Sequence, residues 1–103
     1  MKYNIYAGLS GQFGGPVYIG TGDFSNYDSA IDYAYQMAIE EYESYEGYHG
    51  IMSWYDIARE ENLDVNEDIE EIDSIYNEER EQWLEYDAIL TSEDNLDEEI
   101  VEI

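Results

Sequence analysis

MKYNIYAGLSGQFGGPVYIGT, residues 1–21, decides the fold. Tyr3, Ile5, Ala7 and Leu9 alternate with Lys2, Asn4, Tyr6 and Gly8, the period-two pattern of a half-buried strand over residues 1–9. Residues 17–21, Val17-Tyr18-Ile19-Gly20-Thr21, are β-rich and predict a second strand. The intervening Ser10-Gly11-Gln12-Phe13-Gly14-Gly15-Pro16 is punctuated by Gly and Pro, so the pair is read as a β-hairpin with a long tip. A two-stranded hairpin is marginal in water, and a third strand is needed. Tyr86, Ala88 and Leu90 alternate with Asp87, Ile89 and Thr91, which predicts that strand at 86–91.

The middle of the chain has helical spacing. Ser25 with Asp28 three residues on is a weak variant of the capping box. Tyr27, Ala30, Ile31, Ala34, Ala38, Tyr42 and Tyr45 follow on one face, predicting a helix over roughly 27–46 that Gly47 ends. Ser53 and Asp56 repeat the cap pattern and open a short helix to about Glu61, closed by Asn62. Asn66 is the expected cap of a third helix, with Val65, Ile69, Ile72, Tyr76 and Trp83 as its apolar stripe. A polar gap interrupts that stripe near Glu79 and Arg80, and the helix runs to about Leu84 or Tyr86. Trp54 and Trp83 fall on apolar sides and read as core. The expected fold is α+β: a small antiparallel sheet, made of the N-terminal hairpin and the strand near 86–91, with about three helices packed on one face. Residues 1–103 form one domain, and 92–103 read either as a docked terminal segment or as a frayed tail.

Composition excludes several classes. With 44% hydrophobic and 16% aromatic residues, twelve of them Tyr, the chain is not a disordered acidic tail. Cysteine is absent, so there is no disulfide framework, zinc-thiolate site or thiol nucleophile. Met1-Lys2-Tyr3-Asn4-Ile5 has no apolar signal region, and no run approaches the ~20 apolar residues of a membrane span. A cytoplasmic protein is expected.

Charge is the outlier. There are 27 acids against three bases, a net charge of −24. Residues 1–27 hold only Lys2 and Asp23, so the remaining 26 acids crowd into 28–103 beside Arg59 and Arg80. Solubility needs a net charge of only about 2 to 8. The excess argues against direct binding to nucleic acid or an anionic membrane, and favours a basic partner or cations. Crowding of like charges is also expected to raise carboxyl pKa values, so that stability rises as pH falls from 7 toward about 5.

The third helix carries the densest run: Glu67, Asp68, Glu70, Glu71, Asp73, Glu78, Glu79, Glu81 and Glu85, with Arg80 the one base among them. Nine carboxylates over roughly 30 Å give about one per 3.4 Å. A DNA strand presents one phosphate per ~3.4 Å of axis. A solvated helix face would ordinarily interleave Lys four residues from Glu, and this one does not. Glu67, Asp68, Glu70, Glu71, Asp73, Glu78 and Glu79 are therefore the candidate partner-binding carboxylates.

Other constellations are weaker. Asp64, Asn66 and Asp68 match positions 1, 3 and 5 of an EF-hand loop, but Ile69 stands where Gly is needed and Ile75 where Glu is needed. No dedicated metal site and no cofactor are expected, only loose cation binding. Gly8, Gly11 and Gly14 lack the lysine and the following helix of a phosphate loop, and read as a flexible hairpin tip, with Phe13 as a candidate apolar anchor for a partner. The lone His49, between Tyr48 and Gly50, reads as a turn residue. No catalytic arrangement is visible, and an enzyme is not expected.

A chain of this size, free of cysteine, strongly acidic over 28–103 yet rich in aromatics, resembles the DNA-mimic inhibitors carried by bacteriophages, including anti-restriction and anti-CRISPR proteins. The resemblance is one of composition and carries no residue-by-residue motif. It implies an inhibitor acting in the host cytoplasm on the DNA- or RNA-binding groove of a CRISPR effector or restriction enzyme. Lys and Arg of that groove would meet carboxylates in place of phosphates. The alternatives are an acidic interaction protein with no inhibitory role, a weak cation binder, and a salt-adapted protein whose charge needs no partner.

Overall fold

The computed structural model describes residues 1–91. Its elements in order are β1 (Lys2–Leu9), a 3₁₀ turn at Gly11–Phe13, β2 (Gly15–Asp23), α1 (Tyr27–Tyr45), α2 (Trp54–Glu60), α3 (Ile69–Trp83) and β3 (Leu84–Leu90). The fold is α+β, with an antiparallel three-stranded sheet in the order β2-β1-β3. The hairpin partner β2 and the chain-distant β3 flank β1: Lys2 pairs with Asp23, Leu9 with Gly15, Tyr3 with Leu90 and Leu9 with Leu84. The expected 92–103 segment lies outside the described residues.

The alternation read in β1 sets the core. Tyr3, Ile5, Ala7 and Leu9 are buried on one face, where α1 lies over β1 and β3. The small residues Ala30, Ala34, Ala38 and the buried Tyr42 form the inner stripe of α1, which brings the helix close to the sheet. One apolar cluster joins Tyr3, Ile5, Ala30, Ala34 and Ala88. A second joins Ala7, Leu9, Ala38, Tyr42, Ile51 and Leu84. The glycine at position 8 has a steric reason: a Cβ there would stand 2.4 Å from the carbonyl oxygen of Gly15 on the paired strand. Gly14 ends the 3₁₀ turn at φ 89°, a left-handed conformation that suits glycine. The glycine run is thus a hairpin device.

The three helices do not share the sheet equally. Only α1 lies along it, while α2 and α3 pack on each other around Ile57, Ala58 and Ile72. Tyr76 and Trp83 of α3 reach back to the Tyr42–Leu84 cluster and tie the pair to the main core.

Several boundaries differ from the sequence expectation. The cap of α1 is Asn26, whose side chain accepts the Ser29 N–H at 2.8 Å, so Ser25 stands one residue too early. The cap position of α3 is Asp68 in place of Asn66, because Asp64 organises the preceding turn by accepting the Asn66 and Glu67 N–H groups. Val65 and Ile69 are exposed and leave the apolar stripe, which is carried by Ile72, Ile75, Tyr76 and Trp83. Trp83 ends α3, and Leu84 begins β3 without a connecting loop. The Ser53–Asp56 capping box forms as read, and Asn62 follows α2 at φ 59°. No helix among the described residues is long and apolar enough to cross a membrane.

Candidate acidic interaction surface

The observed span of α3 assigns its carboxylates to sides. At about 100° per residue, Glu70, Glu71, Glu78 and Glu81 fall within an arc of roughly 100° opposite buried Ile72 and half-buried Tyr76. All four are exposed, and Ser74 is the neutral residue among them. Six carboxylates on fifteen residues give about one per 3.8 Å of axis. That average approaches the phosphate spacing of ~3.4 Å only by counting Asp73 and Glu79, which face elsewhere; the four acids of the outer arc span about 16.5 Å of axis, roughly one interval per 5.5 Å.

The remaining predicted positions lie elsewhere. Glu67 is exposed in the turn before α3, and half-buried Asp68 accepts the Asp64 N–H at 2.8 Å. Glu85 is on β3. Asp64 and Asp68 thus spend carboxylate oxygens on backbone N–H groups of their own turn, a geometry that serves the loop instead of an EF-hand. Asp73 is exposed on the α2 side of the helix and accepts the Trp54 indole N–H at 2.6 Å. Glu79 is half-buried and accepts the Trp83 indole N–H at 3.1 Å. Arg80 is half-buried too, its guanidinium 5.5 Å from the centre of the Tyr76 ring. These two contacts fill the polar gap in the stripe, and the Arg80 guanidinium also acts on the Tyr35 phenol that bonds Glu81.

Glu81 belongs with Glu70, Glu71 and Glu78 and was absent from the predicted partner-binding set. Its spacing of three from Glu78 and eleven from Glu70 is the signal that places it there. It accepts the Tyr35 hydroxyl at 2.6 Å, which holds that phenol above its ordinary pKa because the bond favours the protonated form. Tyr76 likewise donates its hydroxyl to Glu46 of the Tyr45–Gly47 turn. Burial first, and then this bond, push the Tyr76 phenol up to about 12. Burial also raises the phenol of Tyr42, whose hydroxyl donates to the Met52 carbonyl at 2.7 Å.

A common device emerges. Asp73, Glu79, Glu81 and Glu46 are each positioned by a neutral donor: an indole N–H or a phenol O–H. A lysine or arginine would orient the carboxylate and cancel its charge. A tyrosine or tryptophan orients it and leaves the charge in place.

Two carboxyls run against the upward shift expected from crowding. The amino terminus donates to Asp23 at 2.8 Å and holds it below the usual carboxylate range. Asp56 is held low by the Ser53 backbone N–H, then by the Ser53 hydroxyl, with Arg59 also beside it.

Phe13 is not a free tip. The hairpin tip folds back and sets its ring 4.8 Å from Tyr45 and 5.8 Å from Trp83, with His49 at 6.3 Å. Gln12 secures the same turn by donating its side-chain amide to the His49 carbonyl. Phe13 is half-buried packing, remote in kind from the carboxylates it was grouped with. Comparison with protein families, curated proteins and solved structures found no match to this chain.

Proposed function

We propose that this chain is a non-enzymatic, phage-type inhibitor that presents carboxylates in place of nucleic-acid phosphates to a basic groove of a host defence nuclease. The supporting observation is the neutral anchoring of its acids. On the exposed arc of α3, Glu81 is held in this way by the Tyr35 hydroxyl, while Asp73 and Glu79, which face away from the arc, are ordered by the Trp54 and Trp83 indoles. A salt-adapted or merely soluble surface needs charge, but it has no need of fixed charge. Fixed carboxylates lose less rotamer entropy on binding a rigid row of Lys and Arg. The high net negative charge steers the encounter, acting in the cytoplasm of the infected cell where such nucleases work.

Competition tests this. A restriction enzyme or CRISPR effector that captures the chain is held fixed, and duplex DNA or guide RNA is titrated against the bound inhibitor. Mutual exclusion is expected, with an apparent affinity that weakens in proportion to the nucleic acid added. Simultaneous binding of both without mutual weakening would remove the phosphate-mimicking reading.

A further inference from the structure

The sheet carries one uncovered strip on its helix side. Because α1 lies over β1 and β3, the middle of β2, residues 16–19, is left exposed, while Gly15 and residues 20–22 are buried. Val17 is 57% exposed and Ile19 37%, both of them apolar residues on a strand. With Met37 and Tyr33 of α1 they line a groove of about 490 Å³ whose floor includes Ala7 and Leu9. Glu40 and Glu41 form its rim on the α1 side.

We propose that this groove docks a basic amphipathic helix of a partner protein, with its apolar stripe between Val17, Ile19 and Met37 and its Lys or Arg residues against Glu40 and Glu41. Two features choose a helix over an added strand. Pro16 lacks a backbone N–H, and the register between β1 and β2 shifts at Ile5/Tyr6, opposite Ile19. Both features blunt an edge for strand pairing. A helix instead needs only an apolar strip beside α1, and a second helix on one face of a sheet is the ordinary way to complete such a layer. Charge chooses a basic partner. A second copy would bring another −24 to the rim. The chain's own residues 92–103 contain six acids and no base, so they too would meet Glu40 and Glu41 with like charge. This surface is separate from the outer arc of α3 and does not rest on the phosphate-mimicking reading.

The test uses the full chain and a synthetic, labelled peptide of leucine and lysine patterned as one apolar helical stripe. Fluorescence anisotropy at physiological salt gives affinity, and amide chemical-shift mapping gives the site. Shifts are expected at Val17, Ile19, Tyr33 and Met37. Val17→Lys with Ile19→Lys, both exposed positions on an edge strand that tolerates lysine, should weaken binding by about tenfold or more. Glu40→Lys with Glu41→Lys should weaken it similarly, while Glu70→Lys with Glu78→Lys on α3 should change it by less than about threefold. A peptide with Glu in place of Lys should not bind. The proposal is overturned if there is no binding up to about millimolar peptide. It is equally overturned if the α3 variant loses as much as the groove variants, or if shifts fall on α3. It also fails if nuclear Overhauser contacts place residues 92–103 or a second copy in the groove. No nuclease enters the experiment, so the proposed inhibitory function is judged independently.

Discussion

Trp54, the first residue of α2, donates its indole N–H across 2.6 Å to Asp73 on the second turn of α3. The bond joins the two helices that do not lie on the sheet, and it does so with a carboxylate that keeps its charge. The same economy recurs at Glu79 with Trp83, Glu81 with Tyr35 and Glu46 with Tyr76. A chain with three bases has few ion pairs with which to hold its 27 acids. Its aromatic donors perform that ordering, which connects two compositional oddities, excess acid and abundant Tyr and Trp, through one kind of contact.

Trp54→Phe tests the bond directly. The ring remains against the Ile57–Ile72 cluster, and only the donor is lost. Urea unfolding should show a loss of about 1 kcal/mol. Asp73→Asn, which keeps an acceptor for the same N–H, should lose less than Trp54→Phe.

The cap of α2 sets a pH signature. Asp56 accepts the Ser53 N–H at 3.0 Å, and its carboxyl lies below the usual range. With the folded pKa below the unfolded one, its contribution is complete above the ordinary value near 3.9 and disappears as pH falls through the folded value. Asp56→Ala should therefore cost about 0.5–1 kcal/mol at pH 7. Paired unfolding curves should show the difference between variant and parent shrinking steadily below about pH 4.

At the alkaline end the sign reverses. The Tyr76 phenol is raised to about 12 by burial and by its bond to Glu46. An unfolded tyrosine ionises near 10. The unfolded state therefore releases its proton first, and stability falls as pH rises from about 10 through 12. Ultraviolet titration of phenolate should show a late step coincident with loss of helix signal, and Tyr76 should contribute to it. Tyr76→Phe should move the unfolding midpoint to higher pH.

Period-two and helical spacing made the sheet and α1 legible, because burial on one face imposes those patterns directly on residues such as Ile5 and Ala34. The ends of the helices were less so. Ser25 and Asn26 are adjacent and equally able to cap, and only the observed bond to Ser29 decides between them. Asn66 lost its cap role because the neighbouring Asp64 took both nearby N–H groups. At the candidate surface the density of acid was visible in sequence, but its orientation was not. Nothing in composition says that Asp73 turns toward Trp54 or that Glu81 belongs with Glu70. The surroundings of Phe13 were hidden for a related reason: a hydrophobic residue in a glycine-rich tip looks exposed until the tip folds back on Tyr45 and Trp83.

Gly8 offers a check on the hairpin itself. A methyl group there would meet the Gly15 carbonyl oxygen at 2.4 Å, and both atoms belong to paired backbone that cannot swing aside. Gly8→Ala should destabilise by about 3 kcal/mol, the upper range for overpacking, or abolish folding. Gly47→Ala provides a comparison, since φ is 88° there and no atom lies within 4 Å of the added carbon. Its cost is backbone strain alone, about 1 kcal/mol. A thermal-melt series in which Gly8→Ala proved the milder change would contradict the close approach of β1 and β2.

The last prediction concerns the outer arc of α3. Glu70, Glu71, Glu78 and Glu81 share one side of the helix, while Arg80 is turned inward over Tyr76. A field shared by several charges should fail by degrees. Reversal of one of the four to Lys should mainly slow association with a basic target, with dissociation nearly unchanged. Reversal of all four should reduce the association rate by at least about tenfold, and the steep dependence of that rate on ionic strength should flatten. Tyr35→Phe separates position from charge. It leaves Glu81 negative but removes the hydroxyl that holds it. If fixed carboxylates matter, Tyr35→Phe should raise the dissociation rate while leaving the salt dependence of association unchanged. Stopped-flow mixing over a range of salt measures both quantities. Equal association rates for the parent and the fourfold reversal would show that this arc is not where the partner binds.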